Sequence, residues 1–165
     1  MNGVEALIAL GSNLGDRAGH LLAAVGALSR PAQVRLAGLS PIYETAPVGS
    51  PGQGPYLNAV LAVKTTLAPQ ALLEELLAIE RSHGRERRVR WGPRTLDLDL
   101  LDYGNTVLEL PGLVLPHPRL HERAFVLVPL ADVAPGWRHP TLRLNAAEML
   151  AKLDRSGVQP WRPPY

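Results

Sequence analysis

The sequence predicts an α+β fold, a ferredoxin-like βαββαβ core with an antiparallel sheet and helices on one face. Three observations carry this. Short apolar runs of strand character alternate with two segments of helical period as far as Tyr103. Gly or Pro stands where the character changes, at Gly11, Pro31, Pro69 and Gly104. The chain beyond Gly104 does not repeat the alternation and reads as a C-terminal hairpin and helices added to the core.

Val4–Leu10 is short, apolar and followed by Gly11-Ser12-Asn13, the pattern of a buried strand ending in a turn. Asp16 is placed to cap a helix running to about Arg30. Leu21, Leu22, Val25 and Leu28 form its apolar stripe, and Pro31 ends it. Val34–Tyr43 is a second strand, made irregular by Gly38 and Pro41. Ala46–Pro55, rich in Pro and Gly, is a surface loop. Tyr56–Thr66 is apolar on both faces and therefore central.

Pro69 fits the first turn of the next helix, with Thr66 as a cap just outside it. Leu72, Leu76 and Ile79, flanked by Leu73 and Leu77, face the core, and Gly84 stops the helix. Thr95–Tyr103 is a fourth strand, turned at Gly104-Asn105 into Thr106–Leu110 as a hairpin. Pro111–Pro118 is a loop, and helices are expected over about Glu122–Val133 and Asn145–Leu153. The proline-rich tail Gln159–Tyr165 is extended.

The 165 residues are expected to form one domain, 1–165, large enough to bury a core. Cysteine is absent, which excludes disulfides, thiolate metal sites and cysteine nucleophiles. The first residues lack a basic cluster before an apolar run, and no apolar stretch has membrane-spanning length. A soluble, cytoplasmic, monomeric protein with no membrane partner is the expectation. The net charge is only +2, yet the basic residues are almost all Arg, with Lys64 and Lys152 the exceptions. Arg carries a planar fork of donors that matches phosphate oxygens.

The sharpest local signal is Thr95-Leu96-Asp97-Leu98-Asp99-Leu100-Leu101. On a strand the leucines share one face while Asp97 and Asp99 share the other, roughly 6.6 Å apart along the chain. Two like charges on one sheet face are unfavourable unless water or a hard cation such as Mg²⁺ neutralises them. By parity Asp102 falls on the leucine side, as a strand-end residue.

Immediately upstream lie Arg81, Arg85, Arg87, Arg88, Arg90 and Arg94. Such a run is either a solvated loop or a polyanion site. Because it leads directly into the paired aspartates, Arg and Mg²⁺ could clamp one polyphosphate, as phosphoryl transfer requires. His117 and His121 have i, i+4 spacing, but Pro118 interrupts a helix there, so contacts from His117 and Arg123 to phosphate are favoured over zinc. Tyr56 and Asn58 share a face of the central strand, where a flat heteroaromatic ligand would satisfy the Asn. Neither a P-loop nor a dinucleotide-binding glycine pattern is present.

Taken together, Ala9-Leu10-Gly11-Ser12-Asn13-Leu14-Gly15, Tyr56-Leu57-Asn58-Ala59, Arg90-Trp91-Gly92-Pro93-Arg94-Thr95-Leu96-Asp97-Leu98-Asp99, Pro116-His117 and Arg123-Ala124-Phe125 resemble the 6-hydroxymethyl-7,8-dihydropterin pyrophosphokinases. The resemblance spans about Leu7 to Pro135. It implies ATP as co-substrate, transfer of pyrophosphate to the hydroxymethyl of the pterin in folate synthesis, and release of AMP.

It further implies two Mg²⁺ ions on Asp97 and Asp99. Arg85, Arg94, His117 and Arg123 would bind the polyphosphate, Arg85 and Arg94 with a catalytic share beside the aspartates. Glu80 would approach the nucleotide, and Arg90 and Trp91 would lie in a closing loop. Tyr56 and Phe125 would sandwich the pterin, with Trp91 near it and Thr45, Asn58 and the backbone near Val48 at its edge. Ala46, Leu77 and Pro118 depart from the family pattern. The rival reading is a nucleic-acid-binding or nucleotide-binding regulatory module on the same core. A lone Tyr56 on the sheet, without an aromatic partner on the adjacent strand, argues against RNA or DNA.

Overall fold

The computed structural model describes residues 3–46, 54–83 and 95–163. β1 (Val4–Ser12) leads into α1 (Arg17–Leu28), then β2 (Val34–Leu39), β3 (Tyr43–Thr45) and β4 (Tyr56–Thr65). α2 (Pro69–Ser82), β5 (Asp97–Tyr103), β6 (Leu108–Leu110) and β7 (Leu113–Leu115) follow. A short 3₁₀ turn at Leu120–Glu122 precedes α3 (Ala124–Val133), α4 (Ala146–Leu150) and β8 (Val158–Pro160).

The main sheet is antiparallel in the order β5-β1-β4-β3-β8, with β2 also paired to β4. β4 is central: β1 runs along its whole length on one side, while β3 and β2 share the other. The expected single strand over Val34–Tyr43 is therefore two. A bulge near Gly38 and the missing N–H of Pro41 break the ladder. Ser40 spans the gap, its backbone N–H donating to Val60 and its buried hydroxyl accepting from the Val60 amide at 2.9 Å.

Alternation along β1 and β4 divides the interior into two layers. Ala6, Ile8, Leu10, Leu57, Leu61 and Val63 pack beneath α1 and α2. Leu7, Val60 and Leu101 face the other way, against α3 and α4. The helices of the βαββαβ core thus share one face, as expected, and the C-terminal third covers the opposite one. Asp16 caps α1 by accepting from Gly19 N at 3.1 Å, and a reciprocal Asn145–Glu148 capping box starts α4. Tyr43 donates to Asp132 and ties β3 to α3.

Three expectations are corrected. β6 does not return along β5 but forms its own hairpin with β7 across Gly112, whose φ is +79°. The Gly104-Asn105 turn does form, both residues having positive φ, but Asn105 is drawn toward the C-terminal third by its bond to the Arg138 carbonyl. Ala68, not Thr66, is the N-cap of α2, and the Thr66 N–H donates to Gln33 instead. The tail is more than extended: β8 pairs with β3, and Trp161 N donates to the Ile42 carbonyl.

Candidate functional site

Register places two of the candidate residues in one row. Gly11 on β1 is the partner of Asn58 on β4 and of Asp97 on β5, so the three lie side by side across neighbouring strands. Alternation puts all three on the α3 side of the sheet, along with Tyr56 and Asp99. A Cβ on Gly11 would stand 3.3 Å from Asn58 Oδ1 and 3.6 Å from Tyr56 Cδ1. The bare backbone there lets the Asn58 and Tyr56 side chains lie close over β1. Sequence reasoning read this glycine as part of a turn; its placement within a strand was the available signal of close approach.

Asn58 is buried, and its Nδ2 donates to Thr45 Oγ1 at 2.8 Å. Because Thr45 is the register partner of Tyr56, the β3 end fixes both polar groups beside the Tyr56 ring. Phe125 lies in the first turn of α3, half-buried against the layer on this same sheet face, with the Arg123 guanidinium 5.7 Å from its ring centroid.

Asp97 and Asp99 are half-buried on β5. Arg123 and His117 come from the turn ahead of α3; Arg123 is close enough to feel both carboxylates, and His117 to feel Asp99 and Arg123. Burial lowers the pKa of Arg123, opposed by Asp99 and, further down, by Asp97. Burial likewise lowers that of His117, with Asp99 opposing and Arg123 reinforcing the shift. His117 N is held by the Leu101 carbonyl at 2.9 Å, and its Nδ1 accepts from Arg119 N at 3.2 Å. That bond assigns the neutral ring's proton to Nε2, a donor suited to an anionic oxygen. The structure thus brings Asp97, Asp99, His117 and Arg123 together, and Thr45, Tyr56 and Asn58 share their sheet face. His121 lies against Glu122 and His139 instead.

Asp102 corrects the parity argument. The β1–β5 register slips between Leu7 and Ile8, so the extra residue on β5 reverses alternation. Asp102 is consequently buried on the α3 side, accepting from Asn105 N at 3.1 Å. Burial raises its pKa, opposed by the Asn105 amide and by Trp137. The indole N–H stands near the carboxylate without closing a hydrogen bond, since Asp102 Oδ1 and Trp137 Nε1 both lack a partner within bonding geometry.

Glu80 reaches β5 from the other layer. It is 3% exposed, and its Oε2 accepts from Leu98 N at 2.8 Å, between the two aspartates. Arg85, Arg87, Arg88, Arg90, Trp91, Arg94 and Val48 lie outside the described residues.

Residues 7–135 match the model of the 7,8-dihydro-6-hydroxymethylpterin-pyrophosphokinase (HPPK) family. The chain belongs to the HPPK family. Among curated HPPK relatives, the 2-amino-4-hydroxy-6-hydroxymethyldihydropteridine pyrophosphokinase of Pseudomonas aeruginosa is 46% identical over 152 residues, 92% of this chain and 93% of the relative. The protein of that name from Bacillus subtilis is 44% identical over 162 residues, covering 98% and 92%. In fold, the chain is similar to the Plasmodium falciparum HPPK-DHPS crystallised with STZ-DHP, at a TM-score of 0.72 and 15% identity. The match covers 92% of this chain and 43% of that longer one. HPPK domains have a ferredoxin-like fold, in agreement with the sheet order found here.

Proposed function

We infer that the chain, as an HPPK, transfers pyrophosphate from ATP to the hydroxymethyl group of 6-hydroxymethyl-7,8-dihydropterin, and that the row Asn58–Gly11–Asp97 sets the acceptor beside the donor. That row carries the reading. Two strand spacings, roughly 10 Å, separate its ends, comparable to the span between a pterin ring and the phosphate that its substituent must reach. Asn58 and Thr45 take the pterin edge, with Tyr56 and Phe125 on its faces. Val48 and Trp91 are assigned to the same pocket by the sequence resemblance.

Asp97 and Asp99 are assigned two Mg²⁺ ions. Two carboxylates on one strand face give hard oxygen donors and leave the remaining positions to water and phosphate, which suits Mg²⁺ better than a closed protein cage would. When bound, the ions neutralise the polyphosphate and increase the acidity of an adjacent hydroxyl.

The protein's own groups do the rest. Arg123, and by resemblance Arg85 and Arg94, bind phosphate oxygens, with Arg90 assigned to the closing loop, while His117 donates from Nε2. The hydroxymethyl oxygen attacks the β-phosphorus, its proton passing to water as the new O–P bond forms. The bond from that phosphorus to the oxygen of the α-phosphate breaks, and AMP departs. In the described residues no helix is long and apolar enough to cross a membrane. A monomeric, cytoplasmic enzyme that takes small-molecule substrates and no nucleic acid fits this reading.

Chromatography of the reaction mixture tests it. AMP formed in equal amount with the pyrophosphorylated pterin, and only when pterin is present, is the expected result. Pterin-dependent ADP overturns it.

A further inference from the structure

β5 carries both proposed cation ligands, yet among the described residues it is the edge strand of the sheet, paired with β1 and with no described strand beyond it. In an antiparallel ladder alternate residues send their N–H groups to the partner strand and outward. An outward amide on an edge strand is ordinarily left to water, and the strand is correspondingly free to shift or fray. At Leu98, the residue between Asp97 and Asp99, this does not happen. The amide donates to Glu80 Oε2 at 2.8 Å, and Glu80 is almost wholly buried in the last turn of α2.

Burying a carboxylate is unfavourable unless hydrogen bonds compensate, so an acid at a helix position flanked by Leu72, Leu76 and Ile79 calls for an explanation. The position supplies one. Glu80 approaches from the layer opposite Tyr56, Asn58 and the aspartates, and it acts on the backbone that carries Asp97 and Asp99. A displacement of Leu98 of even half an ångström would move both carboxylates together, because they flank it directly. An amide bond to a buried acceptor prevents this.

We propose that Glu80 is a positioning residue for the transfer: its carboxylate fixes the edge strand between Asp97 and Asp99 and so sets the spacing of the two cation ligands. This role rests on the reading of those aspartates as Mg²⁺ ligands. It differs from contact with the nucleotide, because what matters is an oxygen acceptor at the Leu98 amide and not a negative charge.

Glu80→Gln, which keeps an acceptor oxygen, and Glu80→Leu, which removes it, separate the two roles. The measurements are the Mg²⁺ concentration for half-maximal turnover, kcat, the KM for hydroxymethyldihydropterin, and hydrogen exchange of the Leu98 amide. Glu80→Leu is expected to raise the Mg²⁺ requirement and lower kcat about tenfold each, with faster Leu98 exchange and a pterin KM within about threefold of wild type. Glu80→Gln is expected to restore all four to within about threefold. A folded Glu80→Leu with the wild-type Mg²⁺ requirement overturns the proposal.

So does a Glu80→Gln as impaired as the leucine variant, since then the charge matters. If Glu80→Leu does not fold, the glutamine variant decides alone: an unchanged Mg²⁺ requirement and slow Leu98 exchange support the proposal, and a raised requirement overturns it. Asp97→Asn distinguishes the two readings. If it leaves the Mg²⁺ requirement unchanged, the cation reading fails and takes the Glu80 role with it. If it raises the requirement while Glu80→Leu does not, the Glu80 role alone falls.

Discussion

Asn58 and Asp97 sit two strands apart in one row of the sheet, and the only residue between them, Gly11, has no side chain to part them. The consequence can be measured. In Gly11→Ala the new methyl would stand 3.3 Å from Asn58 Oδ1, tighter than an ordinary contact, so the amide must give by a few tenths of an ångström against its bond to Thr45. A strand interior favours Ala over Gly by roughly 0.5–1 kcal/mol, so the fold should lose little. The expected outcome is pterin affinity about tenfold weaker with the melting temperature nearly unchanged, read by calorimetric titration and a thermal melt. Unaltered affinity would mean that the pterin does not lie over Gly11.

Asp97→Ala and Asp99→Ala should each abolish turnover while the protein remains folded. Each removes one oxygen ligand and at the same time relieves repulsion between two carboxylates on one strand face. Circular dichroism and an AMP-release assay over a range of Mg²⁺ concentrations check this. Near-normal activity at low Mg²⁺ in either variant would remove the cation assignment.

Much of this site was legible in the sequence, for identifiable reasons. Period-two alternation holds over Thr95–Leu100, so the shared face of Asp97 and Asp99 followed directly, as did that of Tyr56 and Asn58. The same rule failed for Asp102, because a bulge adds a residue to β5 and sequence carries no mark of register slip. The sequence also misplaced β6, expected to pair back on β5, and read β7 as loop; the turn at Asn105 is anchored by a contact with Arg138 that lies far along the chain. Glu80 was legible only by resemblance. Its inward direction follows from how α2 packs on the sheet edge, which is a tertiary fact.

Stability should decline in mild acid. Burial lowers the pKa of His83 and of His139, and each has a second imidazole beside it, His20 and His121 respectively, acting in the same direction. The unfolded chain therefore binds more protons than the native one at pH values just below 6.5, and the slope of unfolding free energy with pH is positive there. The contribution is fully present above the unfolded value and is lost as pH falls toward the folded one. Asp102, whose pKa is raised, acts with the opposite sign, in a window that begins at its unfolded value of 3.8. Thermal melts should give a flat melting temperature from pH 8 to about 7 and a falling one below it. His139→Gln should flatten the fall, and a melting temperature that rose on acidification would contradict the assignment.

Phe125 provides the last test, directed at the proposed second wall of the pterin site. It is the only Phe in the chain, sits in the first turn of α3, and is half-buried, where a purely structural Phe in an apolar helix would be expected to bury fully. Its ring carries the Arg123 guanidinium 5.7 Å from the centroid, so an electron-rich face is held beside the cation proposed to bind phosphate. Phe125→Leu keeps most of the apolar contact and removes the stacking surface. Stacking is worth about 0.5–1.5 kcal/mol beyond burial, which corresponds to pterin binding weaker by up to about tenfold. Loss of the cation–π contact, about 0.5–1 kcal/mol at a partly exposed site, should leave Arg123 freer and weaken ATP only slightly. Calorimetric titration of each ligand and a thermal melt separate these outcomes. Pterin affinity should fall while ATP affinity and melting temperature stay close to wild type. A large drop in melting temperature with unchanged pterin affinity would return Phe125 to the core and leave Tyr56 facing the ligand alone.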